Sequence, residues 1–463
     1  MADMSQPRLP PEDVHAGQPT HTRRWGYPKP DGYSLSYWQQ QVRCDPLLNH
    51  RSSRDLPKKV DCVVIGSGIT GCMTASQLKK LQPTASIHIL EAREFCSGAT
   101  GRNAGHCKPD RWRGFVEYEK RFGREQALQI LQNEQQTFLK MVAYIRKYNV
   151  DCDLWVGDTF DVPMSADVAR IAHENFAQFE AAGGNVDHIE VTTDPAEAAR
   201  KTRLRGAQAC YAWPAATLQP RKLTGHIMRS ALGRDVGLHT FTVVQRVTGA
   251  RGRGRPMDDV IYPRPHICQK VTPPRSFSGS RCLQNSYGVL LPDDGGLFSI
   301  NPRCTSDGLV MFGGDHPGQM RLNEWLERHP ESCVDDSMAD VPEVRDAVRS
   351  FAEAELVDWD DGVQMGPGHG DDYNWSGIIA LTPDGVPFVG EIPGKPGQWA
   401  CVGHNGHGMA RTFSLAPGLA RLIAGCPWEI TGIPEAFQLT GERLEKLRRQ
   451  EGKVTGSHCS DDS

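Results

Sequence analysis

The sequence predicts an α/β protein of two lobes, one built around a parallel βαβ unit and one around an antiparallel sheet. Three observations carry that reading. From Val60, an apolar β-branched run, a glycine turn, a helical stretch and a second apolar run follow within about 30 residues. Farther along, "YGVLLP", "GLFSINP" and "GLVMFGG" read as short strands divided by Gly, Pro and Asp turns. A chain of 463 residues is also too long for one small core.

Lys and Arg total 52 against 56 Asp and Glu, a net charge of −4 spread along the chain. Domains that mainly hold phosphates are strongly basic, so no nucleic-acid partner is expected. No apolar run approaches the roughly 20 residues that cross a bilayer, so no membrane partner is expected. "MADMSQPRLPPEDVHAGQP" has no apolar h-region, and the final "SHCSDDS" is neither a peroxisomal nor an ER signal. With 14 cysteines and no CxxC pair, the expectation is free thiols in a cytoplasmic protein.

Residues 1–57, rich in Pro, Arg, Gln and Ser, read as an extended tail, with Tyr33, Tyr37 and Trp38 as docking points. "VDCVVIG" (60–66) reads as a strand buried on both faces. A helix follows over 69–81, ended by Gln82-Pro83, and "SIHILEA" (86–92) is the next strand. Ala127, Ile130, Leu131, Phe138, Met141 and Ile145 recur at helical spacing within 123–148. Another helix spans 166–182 and stops at Gly183-Gly184. Asp335-Asp336 and residues 358–361 are acidic patches expected at the solvated surface.

"GSGITG" sets Gly66, Gly68 and Gly71 in GxGxxG register between strand and helix. Gly66 permits the sharp turn, Gly68 lets a pyrophosphate approach, and Gly71 lets helix and strand pack closely. The helix N-terminus offers amides and a positive dipole end to the phosphates. Glu91, 20 residues after Gly71, is placed to hold adenosine ribose hydroxyls. In "CSGATGRNAGHCKPD" (96–110), small residues let the backbone pass close to a flat ring. Arg102 and Asn103 are candidates for the phosphates or the ring's polar edge.

On these segments the chain resembles the D-amino-acid-oxidase-like (DAO) family of FAD-dependent oxidoreductases, in its fungal-type branch. "WSGIIALTPDGVPFVGEIP" (375–393) and "CVGHNGHGMARTFSLAPGLARLI" (401–423) are similar to that family's closing segment, and the likeness covers roughly residues 30–440. It implies a Rossmann-like, glutathione-reductase-type FAD-binding domain, discontinuous in sequence, and an α+β substrate domain on an antiparallel sheet. The FAD-binding domain takes residues 58–150, 221–250 and 371–440. The substrate domain takes 151–220 and 256–370, and 441–463 is a C-terminal tail. The FAD contacts implied are Gly66, Ser67, Gly68, Ile69, Thr70 and Gly71 at the turn, then Glu91, Ala92 and Arg93. Ser97, Gly98, Ala99, Thr100, Gly101, Arg102 and Asn103 follow in the loop. Val244 would touch the adenine, and Asp384, Gly403, Gly406, His407 and Gly408 close the site. A helix starting near Met409 would add its positive pole, with Pro417 expected to kink or split it.

Some relatives attach FAD through a cysteine seven residues before the Asp of "TPD". Here that position is Gly377, so the cofactor is expected to be non-covalent. His404 and His407 stand at i, i+3 without a recognisable third ligand, so no metal is expected. His407, as a contact to ring or substrate, and His106 are the candidate catalytic residues. His106 is a candidate for the same neighbourhood or a residue of a local turn. Tyr211, Trp213, Arg264 and His266 are weighed as lining residues against ordinary core and surface roles. The family's usual chemistry is hydride transfer from a carbon bearing an amine to flavin N5, with reoxidation by oxygen. The substrate class implied is an amine or amino acid, including a tailoring oxidation in a secondary-metabolite pathway.

The likeness breaks after "LHTFTVVQRV". Relatives continue with a hairpin and a strand ending beside the pyrophosphate. Here Ile261 follows Val244 by only 17 residues, and "GARGRGRPMDD" fills the gap. Its "RGRGRP" fits the core of a minor-groove hook, but Asp258 and Asp259 follow at once and would repel phosphates. Two readings stay open. The connection is shortened and the FAD site still closes, or a strand is lost and the chain is a weak enzyme or pseudoenzyme with an exposed sheet edge.

Overall fold

The computed structural model of the chain describes residues 26–248, 257–292, 296–359, 368 and 370–456. Residues 249–256 of the arginine-rich join, and Asp360 and Asp361, lie outside them. In chain order the strands are β1 (Cys62–Ile65), β2 (Ile87–Leu90), β3 (His106–Cys107), β4 (Trp155–Pro163), β5 (Glu190–Thr192), β6 (Cys210–Thr217), β7 (Val236–His239), β8 (Tyr262–Thr272), β9 (Ser286–Leu290), β10 (Leu297–Pro302), β11 (Val310–Gly313), β12 (Gly370–Leu381), β13 (Phe388–Glu391) and β14 (Trp399–Val402). The α-helices are α1 (Tyr37–Gln40), α2 (Ile69–Leu81), α3 (Phe115–Phe122), α4 (Arg124–Lys147), α5 (Ala166–Ala181), α6 (Pro195–Thr202), α7 (Pro220–Leu232), α8 (Pro317–Arg328), α9 (Pro342–Glu355), α10 (Thr412–Ile423) and α11 (Gly441–Gly456).

The βαβ unit forms as expected. β1, β2 and β7 make a parallel sheet in the order β1-β2-β7, and α2 packs on it with α7 and α10. The second lobe is a nine-stranded sheet, β12-β8-β11-β10-β9-β4-β6-β3, with β5 beside β6. All its pairings are antiparallel except β4 with β9. One face, with Phe160, Tyr287, Val289, Phe298, Ile300 and Phe312, packs into a core with α9. β13 and β14 form a separate antiparallel pair. β12 pairs with β8 and β3 with β6, so both belong to the large sheet although the sequence groups them with the cofactor domain. α10 runs without interruption through Pro417, because the proline sits in the second turn of a helix whose other face is buried.

Several expectations are corrected. β1 is not buried on both faces: Val63 is 48% and Ile65 59% exposed. Among the described residues nothing pairs with its outer edge. The segment "LHTFTVVQRV", similar to a family strand, is extended only as far as His239, the end of β7. Phe241 turns the chain at φ +50°, and Phe241, Val243 and Val247 face solvent. Residues 26–57 are no extended tail: Trp38 is fully buried, and Ser36 caps α1. The C-terminal segment forms α11, whose Leu444 and Leu447 are buried against Phe388 and Val260. Asp336 is buried, not solvated, because Arg93 Nη1 pairs with it at 2.8 Å and Arg102 lies 3.7 Å away.

The open edge of β1 gives a test. Val63→Thr and Ile65→Thr should each change stability by less than about 0.5 kcal/mol. Ile89→Ala, a fully buried side chain on the neighbouring strand, should cost about 2–5 kcal/mol. Urea unfolding of the three variants measures both.

Candidate active site

β1 ends at Gly66, whose φ of +98° favours glycine. A Cβ on Gly71 would sit 2.2 Å from the Gly66 carbonyl oxygen, so α2 meets the turn through bare backbone. Cys72 N–H donates to Gly68 C=O at 3.0 Å, which leaves the Thr70 and Gly71 amides without an acceptor among the described residues. Ile69 N–H donates to Thr100 Oγ1 at 3.1 Å. Glu91 is fixed at the turn: its Oε2 accepts from Ser67 N–H at 2.9 Å and Ser67 Oγ at 2.7 Å, and its Oε1 accepts from Arg93 N–H at 3.0 Å. Ala92 follows between them.

The 97–103 loop is sorted by polarity. Its carbonyls are taken. Ser97 C=O accepts from Gln39 Nε2 (3.2 Å) and Arg102 Nε (2.7 Å), and Gly101 C=O from Ser36 Oγ. Arg102 C=O accepts from Trp375 Nε1 (2.7 Å), and Asn103 C=O from Trp38 Nε1 (2.6 Å). Gly98 C=O accepts from Gly101 N–H (2.9 Å) and Ala99 C=O from Arg102 N–H (3.2 Å). The amides of Ser97, Gly98, Ala99 and Thr100 find no acceptor among the described residues, and Ser97 Oγ is buried without a partner. Spent acceptors and spare donors suit an anion, so this loop and the α2 N-terminus fit the pyrophosphate of FAD. Arg102 and Asn103 brace the loop. Arg102 Nη1 donates to Ser376 C=O at 2.8 Å, and Asn103 Oδ1 accepts from Gly105 N–H at 2.7 Å.

The closing segment meets this unit directly: Thr70 Oγ1 and Thr412 Oγ1, at the N-termini of α2 and α10, are 3.3 Å apart. Gly403 and Gly406 take φ of +74° and +80°, and a Cβ on Gly403 would strike Thr382 Cγ2 at 2.5 Å. Gly408 opens a short 3-10 turn that leads into α10. Asp384 accepts two bonds from Arg443, at 2.8 and 3.0 Å, and so ties α11 to the "TPD" turn. Val244 is half-buried in an irregular stretch.

The strand registers put His106, Trp213, Thr159, Ser286, Ser299 and Gly313 on the face of the large sheet opposite its apolar core. His106 Nε2 is 2.8 Å from Ser286 Oγ, and burial pushes its imidazole down to about 3. Asp161 lies on the same face between Lys108 and Arg113 (3.2 Å), and Lys108 sits over the Trp213 ring at 4.9 Å. Tyr211 and Trp213 are buried core, His266 Nε2 accepts from Gly314 N–H at 3.0 Å, and Arg264 is exposed.

His407 packs its Nδ1 against Glu134 of α4, 3.2 Å from Oε1 and 3.3 Å from Oε2. The buried Glu134 also accepts from Arg411 Nε at 2.9 Å and Asp110 N–H at 2.7 Å. Burial opposes its charge, but His407 and Arg411 outweigh it and hold the carboxyl down to about 2. Arg411, fully buried, also reaches Tyr118 Oη at 3.3 Å and the His404 carbonyl at 3.1 Å. The sequence reading missed Glu134, Arg411, Asp161, Lys108 and the Ser36–Gln39 segment. Glu134 had a signal: it falls on the apolar stripe of α4, between Leu131 and Phe138, where a charge needs a partner.

Two tests follow from this geometry. Gly71→Ala drives its methyl into the Gly66 carbonyl and should abolish measurable FAD uptake while lowering the melting temperature. FAD titration by fluorescence quenching checks the first, and calorimetry the second. The site should also be acid-labile. Burial depresses His106 and His316 to about 3 and His404 to about 4, below the ~6.5 of an unfolded imidazole. The unfolded chain then binds more protons, so stability is complete above about pH 6.5 and falls as pH drops toward 4. Glu134, held at about 2, adds a further loss as pH falls through about 4 toward 2. Melting temperatures measured from pH 8 to pH 4 should decline below pH 6.5.

The DAO family profile, described as "FAD dependent oxidoreductase", matches residues 61–261 and 248–425. Gamma-glutamylputrescine oxidoreductase of Escherichia coli (strain K12) is 22% identical over 395 residues, covering 79% of this chain and 84% of its own. Probable oxidoreductase OrdL of Rhizobium meliloti (strain 1021) is 20% identical over 394 residues, 81% of this chain and 85% of its own. Glycine oxidase from Geobacillus kaustophilus shares the fold at a TM-score of 0.61 and 16% identity, over 82% of this chain and 98% of its own. L-amino acid deaminase from Proteus vulgaris shares it at 0.60 and 17%, over 85% and 99%. The chain belongs to the DAO family of FAD-dependent oxidoreductases.

Proposed function

We propose that the chain holds FAD non-covalently and oxidises the C–N bond of a small amine or amino acid. The observation that carries this is the βαβ turn, where Glu91 is already fixed by Ser67 and Arg93 while the Thr70 and Gly71 amides stay free. The pyrophosphate would be held by those amides with Ser97–Thr100, the ribose by Glu91 and the adenine side by Val244. The pyrimidine end would be held by the amides of Gly403, Gly406 and Gly408. Bound there, FAD supplies a two-electron acceptor that oxygen can restore. His106, Ser286 and Ser299 present the polar face of the large sheet to the substrate. The amine and amino-acid names among the relatives support this class, and the fungal-type branch rests on the wording of "GSGITG" and "SGATGRNAGH" alone.

The open edge of β1 favours a second reading, a degenerate chain with little flavin affinity. One experiment separates the two. The purified protein should be yellow, or become so with added FAD, and its flavin band should bleach anaerobically with a member of a panel of the proteinogenic amino acids, sarcosine and putrescine. A colourless protein that takes up no FAD establishes the second reading, and a yellow protein that no panel member bleaches overturns the amine assignment.

A further inference from the structure

His407 and Glu134 form a unit that hydride transfer alone does not call for. Glu134, on α4, is 1% exposed and ionised, and it touches His407 through Nδ1. An ionised carboxylate only accepts hydrogen bonds, so Nδ1 carries the proton and Nε2 keeps its lone pair. Nε2 has no partner among the described residues, and 32% of the His407 side chain stays accessible. Nearby, Arg113 pairs with Asp161 at 3.2 Å, and 31% of its side chain is accessible. His407 itself sits in the turn before α10 whose glycine amides are proposed to hold the flavin's pyrimidine end.

We propose that His407 Nε2 takes a proton from the substrate's ammonium group, with Glu134 as the residue that positions and charges the imidazole. The proposal rests on the amine reading above. In this step the substrate N–H bond breaks and its electron pair stays on nitrogen. The proton forms a new bond to Nε2, giving an imidazolium beside the Glu134 carboxylate. The neutral amine then has the lone pair needed to stabilise the carbon that loses hydride. The charged and titratable groups around the Glu134–His407 pair are Asp110 from the loop after β3, Arg113 and Tyr118 at α3, and His404 and Arg411 from the segment of His407.

The test has two arms. In the first, ring-nitrogen NMR of the chain, with and without FAD, should show His407 protonated at Nδ1 and titrating at Nε2. An Nε2–H tautomer overturns the proposal whatever the enzyme's activity. In the second, anaerobic flavin reduction is followed against pH with the panel member that bleaches the wild type. His407→Gln should reduce the flavin about 100-fold more slowly at pH 7. The deficit should close to about threefold near pH 10, where the amine deprotonates unaided. Glu134→Gln should give a ring-nitrogen spectrum with both tautomers of His407, because Nδ1–H loses the carboxylate that fixes it. A rate loss in His407→Gln that is equal at every pH, or no loss, overturns the proton role and leaves amine oxidation standing. If no amine reduces the wild-type flavin, the functional reading fails and the proposal falls with it.

Discussion

A buried carboxylate organises the middle of this molecule. Glu134 lies inside α4 with almost no access to water, and an unpaired charge there costs several kcal/mol. The chain answers with a guanidinium, an imidazole and a backbone amide drawn from segments 24 to 277 residues away. Satisfying that one charge pins the turn before α10 and the loop after β3 to the same helix. Together with the contact between Thr70 and Thr412, it sets where the two glycine-rich segments meet.

The 97–103 loop shows the same economy in uncharged form. Its carbonyls would repel a phosphate, and nearly all of them are consumed by side chains from α1, β12 and the loop itself. What remains toward the α2 N-terminus is a row of donors. The residues implied by resemblance as direct contacts therefore divide into two kinds. The amides can meet the cofactor, while Arg102, Asn103 and Asp384 hold the backbone that presents them.

What was legible in the sequence was local. α2 spans the predicted 69–81 because a glycine turn starts it and Gln82-Pro83 ends it. The helices over 124–147 and 166–181 follow from apolar periodicity, and β9, β10 and β11 fall on the three runs picked out by their turns. What was not legible depends on distant partners. Asp336 reads as surface until Arg93, 243 residues earlier, is placed beside it. β1 reads as a central strand because its own residues are apolar, but Val63 and Ile65 point to a face that no described element covers. The first 57 residues carry the bias of a tail, yet Ser36, Trp38 and Gln39 are spent on the cofactor loop.

That last feature sets an order in time. The Ser34–Gln41 segment leaves the ribosome early, but it is held in place by the 97–103 loop and by Tyr373, which donates to the Leu35 carbonyl. Tyr373 and Trp375 emerge more than 330 residues after that segment, and Arg411 later still. The βαβ unit has all its strand-forming residues within the first 240 positions, so it can condense while synthesis continues. The loop that faces the cofactor cannot be fastened then. The nascent chain carries a half-built cradle until those residues arrive, and flavin capture waits for them.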